Sequence, residues 1–271
     1  MARHAFGMTD ADEPTDSEQA TDFQQRLRDR EPVVGHWLSI AHPAVAEVCA
    51  RDADFAVVDT EHAPTGLDAV ANAARAVEAA GEAVPLARVA DDDPVRIKRV
   101  LDTGVAGVVV PMVDSAEQAR EAVAAARYPP EGVRGIAGSR ANDYGRDLAA
   151  QVDGDADPVV VVQVETSEAV ADAAEIAAVS GVDALLVGPA DLSGSLGIFG
   201  EYDADAFREA VEAVLDAAHE SDVPVGTLAT SDEDVRRWAD YGYDYQIVGV
   251  DAGYLAQGAE RARRAYEDAT R

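Results

Sequence analysis

Short runs of β-branched and apolar residues recur along this chain at nearly even intervals, and Ala- and Glu-rich stretches with helical spacing lie between most of them. The runs are Val33–Ile40, Phe55–Asp59, Val84–Val89, Ala106–Pro111, Pro158–Glu165, Ala184–Val187, Pro224–Leu228 and Tyr245–Val250. The helical stretches include Leu67–Ala80, Ser115–Arg127, Glu168–Val179, Asp203–Glu220 and Asp232–Tyr241, and a final helix is expected over Ala252–Glu267. A segment such as Val159-Val160-Val161-Val162 has no polar face, so it reads as a strand buried on both sides, the condition of a parallel sheet covered by helices. Eight such units over roughly 240 residues predict an α/β fold, a (β/α)8 TIM barrel, whose usual size is about 250 residues. A doubly wound open sheet is the alternative, because periodicity alone does not require closure.

No linker interrupts the series, so residues 22–271 are expected to form one barrel domain. Residues 1–21 carry Asp10, Asp12, Glu13, Asp16 and Glu18 among few apolar residues and read as a disordered acidic tail. A short helix is expected over Phe23–Arg30. The longest irregular stretch, Tyr128–Gly154, has the length at which loops are usually functional or disordered.

Charge narrows the functions. The net charge of −30 makes nucleic acid and anionic membrane surfaces poor partners, since both attract cations. No apolar run reaches the roughly 18 residues of a membrane span, and the first twenty residues lack a signal-peptide core, so a cytoplasmic protein is expected. The single cysteine, Cys49, excludes an internal disulfide and a Cys-rich metal site. All but one of the 22 basic residues are Arg, so Lys98 is the sole lysine on which Schiff-base chemistry with a carbonyl substrate could rest, and its basic helical stretch reads as a solvated face. The acid excess with so little Lys is the composition expected of a protein from a salt-rich, halophilic cytoplasm, where screening is short-ranged.

In a barrel, functional side chains collect at the carboxyl ends of strands. Here those ends carry Asp59-Thr60-Glu61-His62, Arg88, Gln163-Val164-Glu165 and Gly188-Pro189-Ala190-Asp191. Gln163 and Glu165, two apart, project from the same strand face into the barrel, where an unpaired carboxylate is costly. Glu165 therefore needs a cation or a protonated state: a structural salt bridge is one reading of the cation, and a metal shared with Asp191 is the other. Two carboxylates without nearby Cys or paired His suit a hard ion such as Mg²⁺ or Mn²⁺. The Gly188–Asp191 turn is either an ordinary strand-to-loop connection or the start of a helix whose Ala190 and Asp191 amides receive a carboxylate. Asp59 is either a turn cap or the group that orients the ring of His62, leaving its other nitrogen as a base. Arg88 supplies a permanent positive charge for an oxyanion. His36 and His42 read as packing or hydrogen-bonding residues, and His219 as a surface one.

Several longer motifs stand in order beside these residues: Leu101-Asp102-Thr103-Gly104, Val110-Pro111-Met112-Val113, Arg127-Tyr128-Pro129-Pro130-Glu131-Gly132-Val133-Arg134-Gly135 and Gly188-Pro189-Ala190-Asp191-Leu192-Ser193. With Asp59-Thr60-Glu61-His62 and Gln163-Val164-Glu165, they make the chain resemble the HpcH/HpaI aldolase family from about Val34 to Leu255. That family comprises metal-dependent class II pyruvate aldolases, including 4-hydroxy-2-oxoheptanedioate and 2-dehydro-3-deoxyglucarate aldolases. The resemblance implies a phosphoenolpyruvate/pyruvate-type barrel that cleaves a 4-hydroxy-2-oxo acid to pyruvate and an aldehyde. It implies a divalent cation (Mg²⁺ or Mn²⁺, with Co²⁺ a third choice) on Glu165 and Asp191. It also implies His62 as the acid–base residue supported by Asp59, Arg88 and Gln163 on the substrate, and Asp102 as the acid at the end of the helix after the third strand. Homo-oligomers, commonly hexamers with exchanged terminal helices, are part of the same implication. Ala87 and the Gly226–Thr230 segment depart from the familiar pattern and bear on aldehyde specificity. Other readings are a citrate lyase β or malyl-CoA type enzyme, for which no basic surface for a CoA phosphate is evident, a phosphosugar barrel using Gly226, Gly249 and Gly253, and a non-catalytic barrel that binds a 2-oxo acid.

Overall fold

The computed structural model describes residues 15–153 and 157–271. Helix α1 (Asp16–Arg28) precedes β1 (Val34–Leu38), α2 (Pro43–Ala50), β2 (Phe55–Asp59), α3 (Leu67–Ala80), β3 (Val84–Arg88), α4 (Pro94–Leu101), β4 (Gly107–Val110) and α5 (Ala116–Ala126). A 3₁₀ turn (Arg140–Gly145) and α6 (Leu148–Val152) lie in the stretch expected to be irregular. There follow β5 (Val159–Val164), α7 (Ser167–Ala171), α8 (Ala173–Ala177), β6 (Ala184–Val187), α9 (Pro189–Ser195), α10 (Asp205–Glu220), β7 (Val225–Leu228), α11 (Asp232–Tyr241), β8 (Tyr245–Val250) and α12 (Asp251–Ala269). The helix expected over Glu168–Val179 is thus two short ones that meet at Asp172.

The strands close into a barrel in sequence order, each paired parallel with its neighbours, and β1 pairs with both β2 and β8. This closure removes the open-sheet alternative. Alternate residues of each strand line the interior, as the two-residue strand period requires. Phe55, Val84, Val159 and Tyr245 fill its lower part, and Val57, Leu86, Val161 and Leu186 lie above them. The complementary set, with Val58, Ala87, Val162 and Val187, packs outward against the helices. Burial on both faces explains why the strands read as unbroken apolar runs. The ring of Phe55 lies where a Cβ on Gly35 would stand, within 2.4 Å, so the barrel wall needs glycine there.

Helix α1 closes the barrel floor. Thr15 caps it, with a reciprocal capping box to Glu18, so residues 16–21 are helical where a disordered tail was expected. The rest of that tail, residues 1–14, lies outside the described residues. Phe23 and Leu27, one turn apart, are buried against the interior cluster, a contribution of roughly 1.5–3 kcal/mol each. Arg26 donates to Asp54 at 2.8 Å and Arg28 to Asp183 at 2.7 Å, and the same two carboxylates accept the Val34 and Val160 amides. No helix among the described residues is long and apolar enough to cross a membrane.

Candidate active site

The inward parity that places Val57 and Leu86 in the core places Asp59 and Arg88 at the top of the same faces. They are direct partners in the β2–β3 register. Arg88 Nε donates to Asp59 Oδ1 and Nη2 to Oδ2, both at 2.9 Å, a bidentate pair with Asp59 only 3% exposed. Trp37, inward-facing on β1, stacks on the guanidinium 4.6 Å from its ring centre. Burial pushes the Asp59 carboxyl up, but the Arg88 hydrogen bonds and charge, with the Glu61 and His62 amides, outweigh it and hold the pKa below the usual value.

Glu61, just past β2, brings Oε2 to 2.7 Å from Arg88 Nη1, and its Oε1 lies 3.8 Å from His62 Nε2. Burial raises the Glu61 pKa, Arg88 and His62 oppose the rise, and Asp59 and Asp191 add to it. The His62 ring is 71% exposed. Asp59 does not orient that ring; it accepts the His62 backbone amide at 3.4 Å while Arg88 occupies its carboxylate. The carboxylate beside the imidazole is Glu61.

Across the mouth, Glu165 follows β5 and is 3% exposed. Its Oε2 accepts from Gln163 Nε2 at 2.8 Å and its Oε1 from the Met112 amide at 2.9 Å. Met112 holds that amide in place with a left-handed backbone, φ 53°. A Cβ on Gly188 would come within 2.6 Å of Glu165 Oε2, so only glycine leaves room for the carboxylate. Burial pushes the Glu165 pKa up to about 7; the Met112 amide opposes this, and the charges of Asp191 and Glu61 reinforce it. Gln163 Oε1 is buried and has no partner. Asp191 and Ala190 are exposed in the first turn of α9, which begins at Pro189, a residue with no amide hydrogen.

Asp102 does not join this group. Helix α4 runs back from the top of β3, so its C-cap, Asp102, lies at the opposite end of the barrel, paired with buried Arg134 at 3.0 Å. His36 meets the Tyr254 hydroxyl at 2.6 Å, His42 caps α2, and His219 pairs with Asp244 at 2.8 Å. Lys98 is on α4, outside the barrel, so no lysine reaches the mouth for a Schiff base. Glu61 and Trp37 are the residues that sequence reasoning left without a role. The signals were present: Glu61 lies inside the Asp59–His62 run, and Trp37 shares its strand face with Gly35.

Among the described residues, no group of three or more His, Cys, Asp or Glu forms a metal cluster. The donor set that fits a cation is smaller. Glu165 and Asp191 offer hard carboxylate oxygens whose charges disfavour one another, and Gln163, which donates to Glu165, keeps a buried Oε1 without a partner. Such a pair suits a hard divalent ion that keeps open positions for water and substrate oxygens.

A closed parallel barrel with an arginine, an imidazole and four carboxylates gathered at its strand ends is the architecture of a (β/α)8-barrel enzyme with acid–base chemistry at its mouth. The family model for HpcH/HpaI aldolase/citrate lyase matches residues 34–258. A hydroxypyruvate/pyruvate aldolase of Delftia acidovorans is 41% identical over 249 residues, covering 89% of this chain and 90% of the relative. A 4-hydroxy-2-oxovalerate aldolase of Novosphingobium aromaticivorans is 37% identical over 91% of this chain and 94% of its own. The crystal structure of a family protein from Burkholderia cenocepacia superposes with a TM-score of 0.86 at 35% identity, covering 91% of this chain and 99% of that one. The chain belongs to the HpcH/HpaI aldolase/citrate lyase family, and it is an aldolase.

Proposed function

We propose that the enzyme is a divalent-metal-dependent class II aldolase that reversibly cleaves a 4-hydroxy-2-oxo acid into pyruvate and an aldehyde. The observation that carries this reading is the charge imbalance at the mouth. Asp59, Glu61, Glu165 and Asp191 face the single guanidinium of Arg88, and Asp59 and Glu61 already occupy it. An anionic substrate is repelled by such a site unless a cation is added. Glu165 and Asp191 are the residues that would hold Mg²⁺ or Mn²⁺, with Co²⁺ a further choice. When bound, the ion supplies Lewis-acid stabilisation of the negative charge that develops on the 2-oxo group.

The chain's own residues account for the rest. Arg88, fixed by Asp59 and Trp37, presents its remaining N–H groups to the same oxygen. Gln163 is within reach of the ligand set, and the Ala190 and Asp191 amides at the turn after Gly188 receive the substrate carboxylate. His62, exposed at the mouth, takes the proton of the 4-hydroxyl as the C3–C4 bond breaks. The bonding electrons pass into the three-carbon fragment, the aldehyde departs, and the proton held by His62 is delivered to C3 to give pyruvate. In synthesis the proton returns from His62.

A homo-oligomer is part of the reading, with the hexamer implied by family resemblance. Its support is α12, which buries only Asp251 and leaves Leu255 58% and Tyr266 71% exposed. The partners are small molecules, a 2-oxo acid and an aldehyde, rather than nucleic acid or membrane. Release of pyruvate from a 4-hydroxy-2-oxo acid, lost in EDTA and restored by Mn²⁺ or Mg²⁺, tests the function; turnover that ignores EDTA would refute the metal requirement.

A further inference from the structure

All three guanidinium nitrogens of Arg88 already have a carboxylate neighbour. Asp59 covers Nε and Nη2, and Glu61 covers Nη1. The two partners are not equivalent. Asp59 is locked by strand register, by two aligned hydrogen bonds and by the Glu61 and His62 amides it accepts. Glu61 lies beyond the strand end, and its Oε2, although 2.7 Å from Nη1, makes no aligned hydrogen bond. Its other oxygen already faces the His62 ring, 3.8 Å away.

A 2-oxo acid that uses Arg88 must take the guanidinium edge on which Glu61 rests. We infer that Glu61 is a positioning residue that holds the place of the substrate oxyanion on Arg88 and passes to His62 when the 2-oxo acid binds. The exchange makes and breaks ion pairs only. It rests on the 2-oxo-acid reading of the site, and it deepens that reading by giving one carboxylate two tasks. In the free enzyme Glu61 keeps Arg88 aimed at the mouth. In the complex it steadies the imidazolium that forms when His62 takes a proton, a charge for which Asp59 has no free oxygen. The charged groups that act on Glu61 are Asp59 and His62 on its own segment, Arg88 on β3, Asp191 on α9 and Glu165 after β5.

Glu61→Gln separates the two tasks. The amide competes weakly for Arg88, so pyruvate and oxalate, measured by calorimetry on the Mg²⁺-loaded enzyme, should bind tighter by about tenfold, the size of one charge-assisted hydrogen bond. The imidazolium loses its partner, so kcat should fall by about 10²-fold. With oxalate bound, the His62 resonance should titrate at lower pH than in the wild type. A carboxylate with only a structural role would weaken oxalate binding and kcat together and leave the His62 titration unmoved; that result overturns the proposal. Glu61→Asp, which keeps the charge but shortens the reach, should move each readout in the same direction by less, and it replaces Glu61→Gln if that variant does not fold. Failure of the wild type to release pyruvate would overturn the aldolase reading instead. Oxalate affinity and His62 titration need no turnover, so the two failures are distinguishable.

Discussion

Asp59 and Arg88 stand opposite one another in the β2–β3 register and share two parallel hydrogen bonds of 2.9 Å at the floor of the barrel mouth. The pair is buried, so it both aims the guanidinium and commits the protein to keeping each partner charged. Arg88→Lys keeps a charge but loses the planar fork. It should lower kcat/KM by at least about 10²-fold and reduce unfolding stability by roughly 3 kcal/mol, since Asp59 is left buried and incompletely paired. Urea unfolding and steady-state kinetics measure the two losses.

Glu165 gives the protein a pH signature. Its folded pKa of about 7 lies above the ordinary 4.5, so the folded state holds this proton more tightly than the unfolded chain does. The associated stability is present below about pH 4.5 and is lost as the pH rises toward 7. Glu165→Gln removes the effect. In EDTA the variant should therefore unfold at a higher temperature than the wild type at pH 8, and the gap should close near pH 5. A divalent ion should raise the wild-type melting temperature at pH 8 far more than that of the variant.

Gly188 leaves the space that Glu165 occupies. A methyl group there, 2.6 Å from Oε2, must displace the carboxylate or the strand end. Gly188→Ala is expected to weaken Mn²⁺ binding by about 10–100-fold, the usual scale for disturbing the support of a metal ligand. Calorimetric titration of Mn²⁺ into the variant checks this without reference to turnover.

His62→Ala should lower kcat by about 10²–10⁴-fold, the scale of a lost general base. Because the ring is 71% exposed and packs on little, the melting temperature should hardly change. A variant with full activity would remove His62 from the mechanism.

Net charge sets the salt response. A chain at −30 repels itself in dilute buffer, and at 1 M salt the screening length falls to about 3 Å. Thermal melts from low to molar KCl should show a rising midpoint; an unchanged midpoint would mean that this charge does not limit stability in dilute buffer.

Much of this architecture is legible in the chain because barrel strands are buried on both faces. Phe55–Asp59, Ala184–Val187 and Tyr245–Val250 have the boundaries their apolar runs predict. The inward direction of Gln163 and Glu165 follows from strand parity. Helix α1 was harder to read. Only Phe23 and Leu27 are buried, so its first turns carry the acidic, polar composition of a tail. The Thr15–Glu18 capping box was the local sign that a helix begins there.

Pairing across the barrel is less legible. Asp59 lies three residues from His62 and far from Arg88 along the chain, so proximity in sequence favours the imidazole. Strand register instead sets Asp59 beside Arg88, which donates to both of its carboxylate oxygens. The place of Asp102 is hidden for a related reason: a helix that follows a strand must run back down the barrel, so a residue at its far end is carried away from the mouth of its own chain.

The sequence by itself determined the alternation of strands and helices, the residue types available at each strand end and the inward face of each strand, because these depend on local period and burial. Closure, register and partner choice were decided only by the tertiary structure. They arise when strands distant along the chain are laid side by side, and hydrogen-bond geometry then selects one neighbour for each charge.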